Sequence, residues 1–359
     1  MNKQILKQTL KQTLKQVTKQ SVGFDVSKDT VAACFSQQEV GTPFRILSSK
    51  NFPLNAKGFA LLQEWIVNQH IKTVDLHILM EATGVYYEEL AYFLHGKSYR
   101  VTVLLPNKTS AYCKSLDYKS KTDKIDAKKL AQMSLERELQ VWTPPSDKML
   151  EIKRLCRERG ELIDERTAFG NRRHAKVYSH APVKSSLKRS EAALKFLNKQ
   201  IKEVEKTIKD VVAKDPDIKE RMDNVCTIPG VKITTAAVIV SETNGFALFK
   251  GKGQVVSYAG YDVLKEESGT SLKKLERISK KGNSRIRKAL HYPALTAIRC
   301  IPEMKSLKDR IFAETKIKMK GCVAVQRKLL VLIYTLYKNN KPFDPNFKAV
   351  QQVQKTAQP

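Results

Sequence analysis

Apolar and polar residues alternate in short segments near the start of the chain. Val22 to Asp25 and Thr30 to Phe35 predict two strands, with a tight turn through Ser27–Asp29 between them. A third strand is expected near Phe44–Leu47. Three clustered strands this early in a chain predict that a sheet forms the centre of the first domain.

The periodicity then alternates between helix and strand. The predicted elements are a helix over Asn55–Gln69 capped by Asn55, a strand over Val74–Met80, a helix over Tyr86–Leu94, a strand over Tyr99–Leu105 stopped by Pro106, and a helix over Thr122–Leu135. This order predicts an α/β layer domain with a largely buried sheet. Early strands followed by β-α alternation favour an RNase H-like fold.

Pro144-Pro145 is the strongest boundary signal, and the pattern changes after it. Two long charged helices are expected, from Lys148 to about His180 and from Ser186 to about Lys214, with Pro182 between them. They predict a helical hairpin or coiled-coil arm, with a plain helical bundle as the alternative.

A third region begins near Val225. Ile228–Val231 contains a Pro-Gly turn between two short helices, which resembles a helix-hairpin-helix element that offers backbone N–H groups to a phosphate. Residues 261–283 predict a polar loop, and helices are expected over Arg285–Arg299 and Leu307–Lys338. The predicted organisation is a basic arm over 1–20, an α/β domain over 21–145, a helical arm over 146–222, a mainly helical C-terminal domain over 223–340 and a tail over 341–359.

The charge of the chain narrows the range of partners. Lys and Arg number 65 against 36 Asp and Glu, which gives a formal net charge of +29. Such an excess favours a polyanion, most often nucleic acid, with an anionic membrane surface as the alternative. No apolar run reaches the roughly 18 residues that a membrane span needs, so no membrane partner is expected. The six cysteines are scattered without a C-x-x-C pair, which indicates free thiols in a reducing cytoplasm.

Four acidic residues stand out by position: Asp25 after the first strand, Glu81 after Met80, and Asp123 and Asp126 at the head of a helix. Asp123 and Asp126 are three residues apart, so their side chains share one helix face. Carboxylates gathered at one sheet edge repel each other unless a cation neutralises them, and Mg²⁺ prefers such oxygens. The sequence therefore predicts a Mg²⁺ (or Mn²⁺) site. The alternative is that these acids form surface salt bridges with nearby lysines, which are Lys121, Lys124, Lys128 and Lys129.

Several ordered segments carry a family resemblance. They are Gly23–Lys28, Met80–Gly84, Lys121–Ala127, Ile228–Val231, Tyr258–Gly260, Glu267–Gly269 and Ile278–Asn283. Together they resemble the DEDD transposases of bacterial insertion sequences, a family that is related to Piv-type DNA invertases and includes bridge-RNA-guided recombinases.

The resemblance implies a RuvC-like (RNase H-like) N-terminal domain whose metal-binding DEDD acids are Asp25, Glu81, Asp123 and Asp126. It also implies a C-terminal transposase domain whose serine nucleophile, Ser268, links covalently to DNA; Ser271 and Ser279 are the nearby alternatives. The implied partners are double-stranded donor and target DNA, a guide RNA and further copies of the chain in a dimer or tetramer. The expected location is the bacterial cytoplasm, in association with the nucleoid.

Basic residues surround the predicted serine loop: Lys273, Lys274, Arg277, Lys280, Lys281, Arg285, Arg287 and Lys288. They are candidates for holding phosphates. A second basic and aromatic stretch precedes the Asp pair and comprises Tyr112, Lys114, Tyr118, Lys119 and Lys121, whose aromatic rings could stack on bases or pack in the core.

Three other functions can be weighed from the residues alone, and two of them stay open. A metal-dependent junction resolvase or nuclease would need the acids but not Ser268, and a basic architectural protein would need only the lysines. An actin-like ATPase is disfavoured because the segment Asp25–Thr30 lacks the glycine of a phosphate-binding hairpin.

Overall fold

The computed structural model describes residues 17–116, 120, 122–247, 249–265, 267–268, 272–273 and 276–346. The chain divides into two compact units, the first ending at Pro144 and the second beginning at Pro145. Among the described residues, no helix combines the length and the apolar character required to cross a membrane.

The first unit is built on a mixed five-stranded sheet. Its strands are β1 (Val17–Val26), β2 (Thr30–Glu39), β3 (Arg45–Pro53), β4 (Leu76–Glu81) and β5 (Arg100–Leu104). The order across the sheet is β3-β2-β1-β4-β5. β1, β2 and β3 pair antiparallel, whereas β4 is parallel to β1 and β5 is parallel to β4. The five predicted strands are confirmed, and β1, β2 and β3 are longer than the apolar pattern indicated.

Four helices accompany this sheet: α1 (Ala56–Val67), α2 (Tyr87–Gly96), α3 (Pro106–Lys114) and α4 (Asp123–Glu136). The predicted cap of α1 is confirmed, since the Asn55 side chain accepts a hydrogen bond from the Gly58 amide at 2.9 Å. Helix α3 was not predicted. Pro106 ends the preceding strand as expected, but it also begins α3, where its missing N–H costs no helical hydrogen bond.

Both faces of the sheet are covered, which explains why β1 is almost continuously buried. Val22 and Phe24 belong to one hydrophobic core with residues of α1 and α2. On the opposite face, Ala127 and Ala131 of α4 pack in a small cluster with residues of β2. The mixed sheet therefore lies between helical layers, as the alternating pattern predicted.

The second unit begins with two long helices, α5 (Asp147–Val177) and α6 (Lys184–Ala213), which pack on each other as a hairpin. The base of this hairpin is buried: Met149 and Ile152 of α5 and Ile208 of α6 share one core with the C-terminal helices. The predicted helical hairpin is thus present, and its base and the C-terminal helices form a continuous core. The predicted internal boundary at residue 222 stays a prediction.

Six further helices complete the second unit within the described residues: α7 (Pro216–Cys226), α8 (Ile233–Glu242), α9 (Lys252–Ala259), α10 (Ser284–Cys300), α11 (Pro302–Thr315) and α12 (Lys318–Asn339). The prediction of one helix over Leu307–Lys338 was wrong. The backbone turns at Lys316, where φ is 57°, and this left-handed residue ends α11.

Residues 261–283 contain short strands where a plain loop was predicted. These are β6 (Val263–Leu264), β7 (Glu267–Ser268), β8 (Leu272–Lys273) and β9 (Arg277–Ile278). β6 pairs antiparallel with β9, and β7 pairs antiparallel with β8. Two-residue strands are too short to leave an alternating pattern, so the sequence could not reveal this nested hairpin.

Candidate active site

Two of the predicted acids lie at the ends of neighbouring parallel strands. Phe24 of β1 is paired with Met80 of β4, so Asp25 and Glu81 occupy the next position along the two strands. Both residues are half-buried. Because parallel strands end at the same edge of a sheet, the two carboxyl groups share that edge.

The other two acids lie in the first turn of α4. The Thr122 side chain caps this helix by accepting a hydrogen bond from the Ile125 amide at 3.3 Å. Asp123 is exposed, whereas Asp126 is half-buried. Negative side chains are favourable at a helix N-terminus, so the two aspartates also suit their local position.

Gly23 brings α4 against β1. A Cβ atom built on Gly23 would lie 2.1 Å from the Ala127 carbonyl oxygen and 2.3 Å from the Ala131 amide nitrogen. The contact is strengthened by Ser21, whose hydroxyl donates to the Ala131 carbonyl at 2.7 Å. Helix and strand therefore meet backbone to backbone, one turn beyond Asp126.

The pKa of the Cys113 thiol on α3 indicates that three of the acids lie near one another. Burial raises the pKa of Cys113 above its ordinary value. The negative charges of Asp126, Glu81 and Asp25 add to this rise in pKa, and the Lys129 ammonium opposes it. All three carboxylates thus lie within electrostatic range of a single sulfur atom.

Glu81 is held by hydroxyl groups. Thr83 donates to Glu81 Oε1 at 2.9 Å, and Thr109 of α3 donates to Glu81 Oε2. Thr109 is fully buried. Thr109 was not among the predicted site residues, because the helix that carries it was not predicted.

A buried lysine also lies in this neighbourhood. Lys129 Nζ is 3.1 Å from Asp126 Oδ1, and the lysine side chain is only 9% exposed. The sequence alternative of lysine–carboxylate pairing therefore holds for Asp126, although this pair is partly buried instead of lying on the surface. A lysine at the third position after Asp126 was the available signal.

The donor set fits a hard divalent cation, because it consists of carboxylate oxygens at one sheet edge. As the side chains stand, no group of three or more His, Cys, Asp or Glu residues in the described part of the chain is gathered closely enough to hold a metal ion. Lys129 instead supplies the positive charge beside Asp126.

Ser268 lies in β7 of the second unit. Ser279 follows β9, and its backbone amide donates to the Asp262 carbonyl at 2.7 Å. Ser271, the other alternative, lies outside the described residues, as do Lys274, Tyr118, Lys119 and Lys121.

Some of the residues that were predicted to contact nucleic acid are bound to other residues of this chain. Arg287 Nη1 donates to the carbonyl oxygens of Ala259 and Gly282, at 2.7 and 3.2 Å. Lys288 forms an ion pair with Asp164. Tyr112 is buried, and its hydroxyl donates to Glu136 Oε2 at 2.7 Å, so this ring packs in the core. Lys280, Lys281 and Arg285 are exposed.

Both the N-terminal and the C-terminal parts of the chain are similar in sequence to known families. Residues 22–182 match the DEDD transposase family of IS110 elements, and residues 222–309 match a family described as "Transposase IS116/IS110/IS902 family". The pilin gene-inverting protein of Moraxella bovis is 30% identical over 329 residues, which cover 90% of this chain and 97% of that protein. This chain belongs to the IS110 transposase family. The Moraxella lacunata pilin gene-inverting protein is 29% identical over 328 residues, with the same coverage.

Membership of the IS110 family confirms the resemblance seen in the ordered sequence motifs. It also identifies this IS110-family chain as a DNA transposase or recombinase. The purely architectural and ATPase alternatives are thereby set aside.

Proposed function

We propose that this chain cuts and rejoins DNA with a metal-binding acidic site formed by Asp25, Glu81, Asp123 and Asp126 and a serine nucleophile at Ser268. The observation that carries the proposal is that Asp25 and Glu81 end neighbouring parallel strands at one sheet edge, while the helix that begins with Asp123 and Asp126 packs directly on β1. The DEDD family match over residues 22–182 includes all four acids.

The fold of the first unit is proposed to be RNase H-like, and specifically RuvC-like. The strand order β3-β2-β1-β4-β5 supports this, with three antiparallel strands followed by two parallel ones. In such a sheet the ends of β1 and β4 lie at one edge beside α4, which is where the acids would be needed.

The four acids would hold Mg²⁺ or Mn²⁺, since both are hard cations that accept carboxylate ligands. When bound, divalent ions at such a site neutralise the charge that develops on the phosphate and polarise the attacking and leaving oxygens. The role of this chain is to present the carboxylates: β1 and β4 fix Asp25 and Glu81, and the hydroxyl of Thr109 orients Glu81.

The chemical step is a transesterification. Ser268 Oγ attacks the scissile phosphorus, a serine–phosphate ester forms, and the bond between phosphorus and the leaving deoxyribose oxygen breaks. The proton of Ser268 Oγ passes to solvent water and the leaving deoxyribose oxygen takes a proton from solvent water, so atoms and charge balance. Because one phosphoester replaces another, the reverse attack by a DNA hydroxyl can reseal the strand.

The substrate is proposed to be double-stranded donor and target DNA, recognised with the help of a structured guide RNA. The name of the relatives, pilin gene-inverting protein, supports DNA rearrangement. The net charge of +29 supports polyanion binding, and a dimer or tetramer would bring two DNA partners together. The proposed location is the bacterial cytoplasm, at the nucleoid.

The decisive experiment is to trap the covalent intermediate. The purified chain is incubated with end-labelled DNA from the junction of its own element, RNA transcribed from the adjoining non-coding segment and Mg²⁺. The products are resolved on denaturing gels. Wild type should give a protein–DNA adduct, and Ser268→Ala and Asp25→Ala should not. EDTA treatment should also abolish the adduct, whereas DNA binding by the variants should persist.

Each proposed component has its own contrary result. An adduct that persists in Ser268→Ala would move the nucleophile elsewhere, with Ser271 the next candidate. Cleavage without any adduct would favour a nuclease or junction resolvase. Full activity without added RNA, or copurifying RNA of random sequence, would argue against the guide.

A further inference from the structure

An ion pair with a buried carboxylate and a half-buried arginine joins α8 to α5. Glu242, the last residue of α8, is 4% exposed. Its carboxylate accepts hydrogen bonds from Arg157 of α5: Arg157 Nε donates to Oε1 at 2.8 Å and Nη2 donates to Oε2 at 3.1 Å. This bidentate geometry is the strong form of an arginine–carboxylate contact.

The surroundings of Glu242 favour its charged form. Burial raises its pKa, but the hydrogen bonds and charge of Arg157, the charge of Lys153 and the amide of Asn283 together lower the pKa below its ordinary value. A buried carboxylate that is paired in this way adds little net stability, although removing its partner is costly. A structural or orienting role is therefore the better explanation for the pair.

Asn283 connects this pair to the loop. Its Nδ2 donates to Glu242 Oε2 at 2.9 Å. Its Oδ1 caps α10 by accepting from the Arg285 and Ile286 amides, and its own amide donates to the Tyr258 carbonyl at 2.7 Å. The Tyr258 hydroxyl returns to the Glu242 carbonyl at 3.0 Å. One asparagine thus joins three helices.

The loop neck, defined as residues 260–262 and 279–283, is closed by backbone contacts. The Lys280 amide donates a hydrogen bond to the Gly260 carbonyl at 3.0 Å, and the neighbouring Ser279 amide donates to the Asp262 carbonyl. A Cβ atom on Gly282 would lie 2.5 Å from the Gly260 amide nitrogen. Arg287 spans the loop neck by donating to the carbonyls of Ala259 and Gly282.

We propose that Glu242 is a positioning residue for DNA cleavage, which acts through Asn283 to fix the loop neck and hence the direction in which the loop presents Ser268. The identity of Ser268 as nucleophile rests on the proposed function. The chain of contacts is continuous: Arg157 anchors Glu242 to α5, Glu242 holds Asn283, and Asn283 begins α10 at the end of the loop neck.

Two variants separate positioning from folding. Asn283→Ser keeps a hydroxyl oxygen to cap α10 and leaves the Arg157–Glu242 pair intact, but it removes the amide donor to Glu242. Glu242→Gln keeps the size of the side chain and removes its charge. The matched control is Glu205→Gln. Glu205 of α6 pairs with Arg159, another arginine of α5, whose Nε lies 2.7 Å from Glu205 Oε1. This variant weakens an arginine–glutamate pair away from the loop neck.

Four quantities are measured for each variant: the melting temperature, the DNA affinity, the single-turnover rate of Ser268 adduct formation with saturating DNA, and hydrogen exchange at the Ser279, Lys280 and Asn283 amides. Asn283→Ser should retain its melting temperature and DNA affinity, exchange faster at the loop neck, and form adduct about 10- to 100-fold more slowly. Glu242→Gln should act in the same direction, and Glu205→Gln should match wild type.

Unchanged exchange at the loop neck in both variants would overturn the proposal, since Glu242 would then not hold the loop. Faster exchange with a normal adduct rate would also overturn it, because the network would then be only structural. If wild type and Ser268→Ala behave alike in the adduct assay, the proposed nucleophile is wrong, and the exchange data alone still decide whether Glu242 fixes the loop.

Discussion

Gly23 decides how closely β1 can approach α4, because its missing side chain leaves room for the helix backbone. The same approach sets the distance between the strand that carries Asp25 and the helix that carries Asp126. The sequence marked Gly23 as part of a motif, but only the structure gives the physical reason for glycine at this position.

Replacing Gly23 should therefore destabilise the first unit. In Gly23→Ala the new methyl group would meet the Ala127 carbonyl oxygen at 2.1 Å, so helix or strand must move. Overpacking of this kind costs about 1–3 kcal/mol, which urea unfolding would measure as a lower midpoint. Gly96→Ala is the matched control, since Gly96 is helical and has no atom within 4 Å of the added Cβ. Equal midpoints for the two variants would contradict the packing argument.

His77 gives the first unit a pH dependence. Its Nε2 lies 2.8 Å from Thr102 Oγ1, and the Thr102 hydroxyl donates to the Gln140 carbonyl, so Nε2 must carry the proton of a neutral ring. Burial, assisted by the Arg100 charge and opposed by Asp75, lowers the pKa of His77 from 6.5 to about 4. The unfolded state therefore binds more protons than the folded state between these two values.

Stability contributed by neutral His77 is present above pH 6.5 and is lost as the pH falls towards about 4. His77→Gln, which keeps an N–H donor for Thr102, should remove this part of the pH dependence. The difference in unfolding free energy between wild type and variant should change by up to about 1.4 kcal/mol per pH unit within that window. Urea unfolding at several pH values measures this, and parallel curves for the two proteins would refute the assignment.

At the scale of elements, the sequence predicted well those segments whose buried face is apolar. β1, β4 and α1 bury Val, Ile, Leu and Phe, so their periodicity was legible. Helix α3 was not predicted because its buried face is formed by Thr109 and Tyr112, which are not typical core residues. The short strands of the serine loop, residues 261–283, were not predicted for a different reason. They are fixed by the distant contacts of Arg287 and Asn283, which no local sequence pattern encodes.

Helix α3 should contribute to catalysis through Thr109. Thr109→Val keeps the shape of the side chain but leaves Glu81 Oε2 without this hydroxyl donor. We expect a higher Mg²⁺ requirement and an adduct rate that is about 10- to 100-fold lower at limiting metal, as for other residues that orient metal ligands. Thr109→Ser retains the hydroxyl and should stay near wild type. A Mg²⁺ titration of adduct formation distinguishes them, and identical titrations for Val and Ser would exclude the orienting role.

At the scale of the whole molecule, the charge of +29 cannot be assigned to one surface by counting residues, because several basic groups already have partners. Arg287 donates a hydrogen bond to a backbone carbonyl at the loop neck, and Lys129 forms an ion pair with Asp126. The exposed residues Lys280 and Lys281 beside the serine loop remain the strongest candidates for phosphate contacts from the predicted set. The basic excess is evident from the sequence, but only side-chain contacts separate structural cations from those available to bind nucleic acid.

This distinction can be measured through salt. Each phosphate contact releases counterions, so the slope of log affinity against log salt falls by about 0.9 per contact on duplex DNA. Lys281→Gln should weaken DNA binding and make this slope shallower by about 1. Lys219→Gln is the control with the same charge change, because Lys219 is exposed on α7 and pairs with Asp223 at 2.6 Å. If both variants changed the slope equally, the effect would come from net charge, and the serine loop would lose its claim to a local DNA contact.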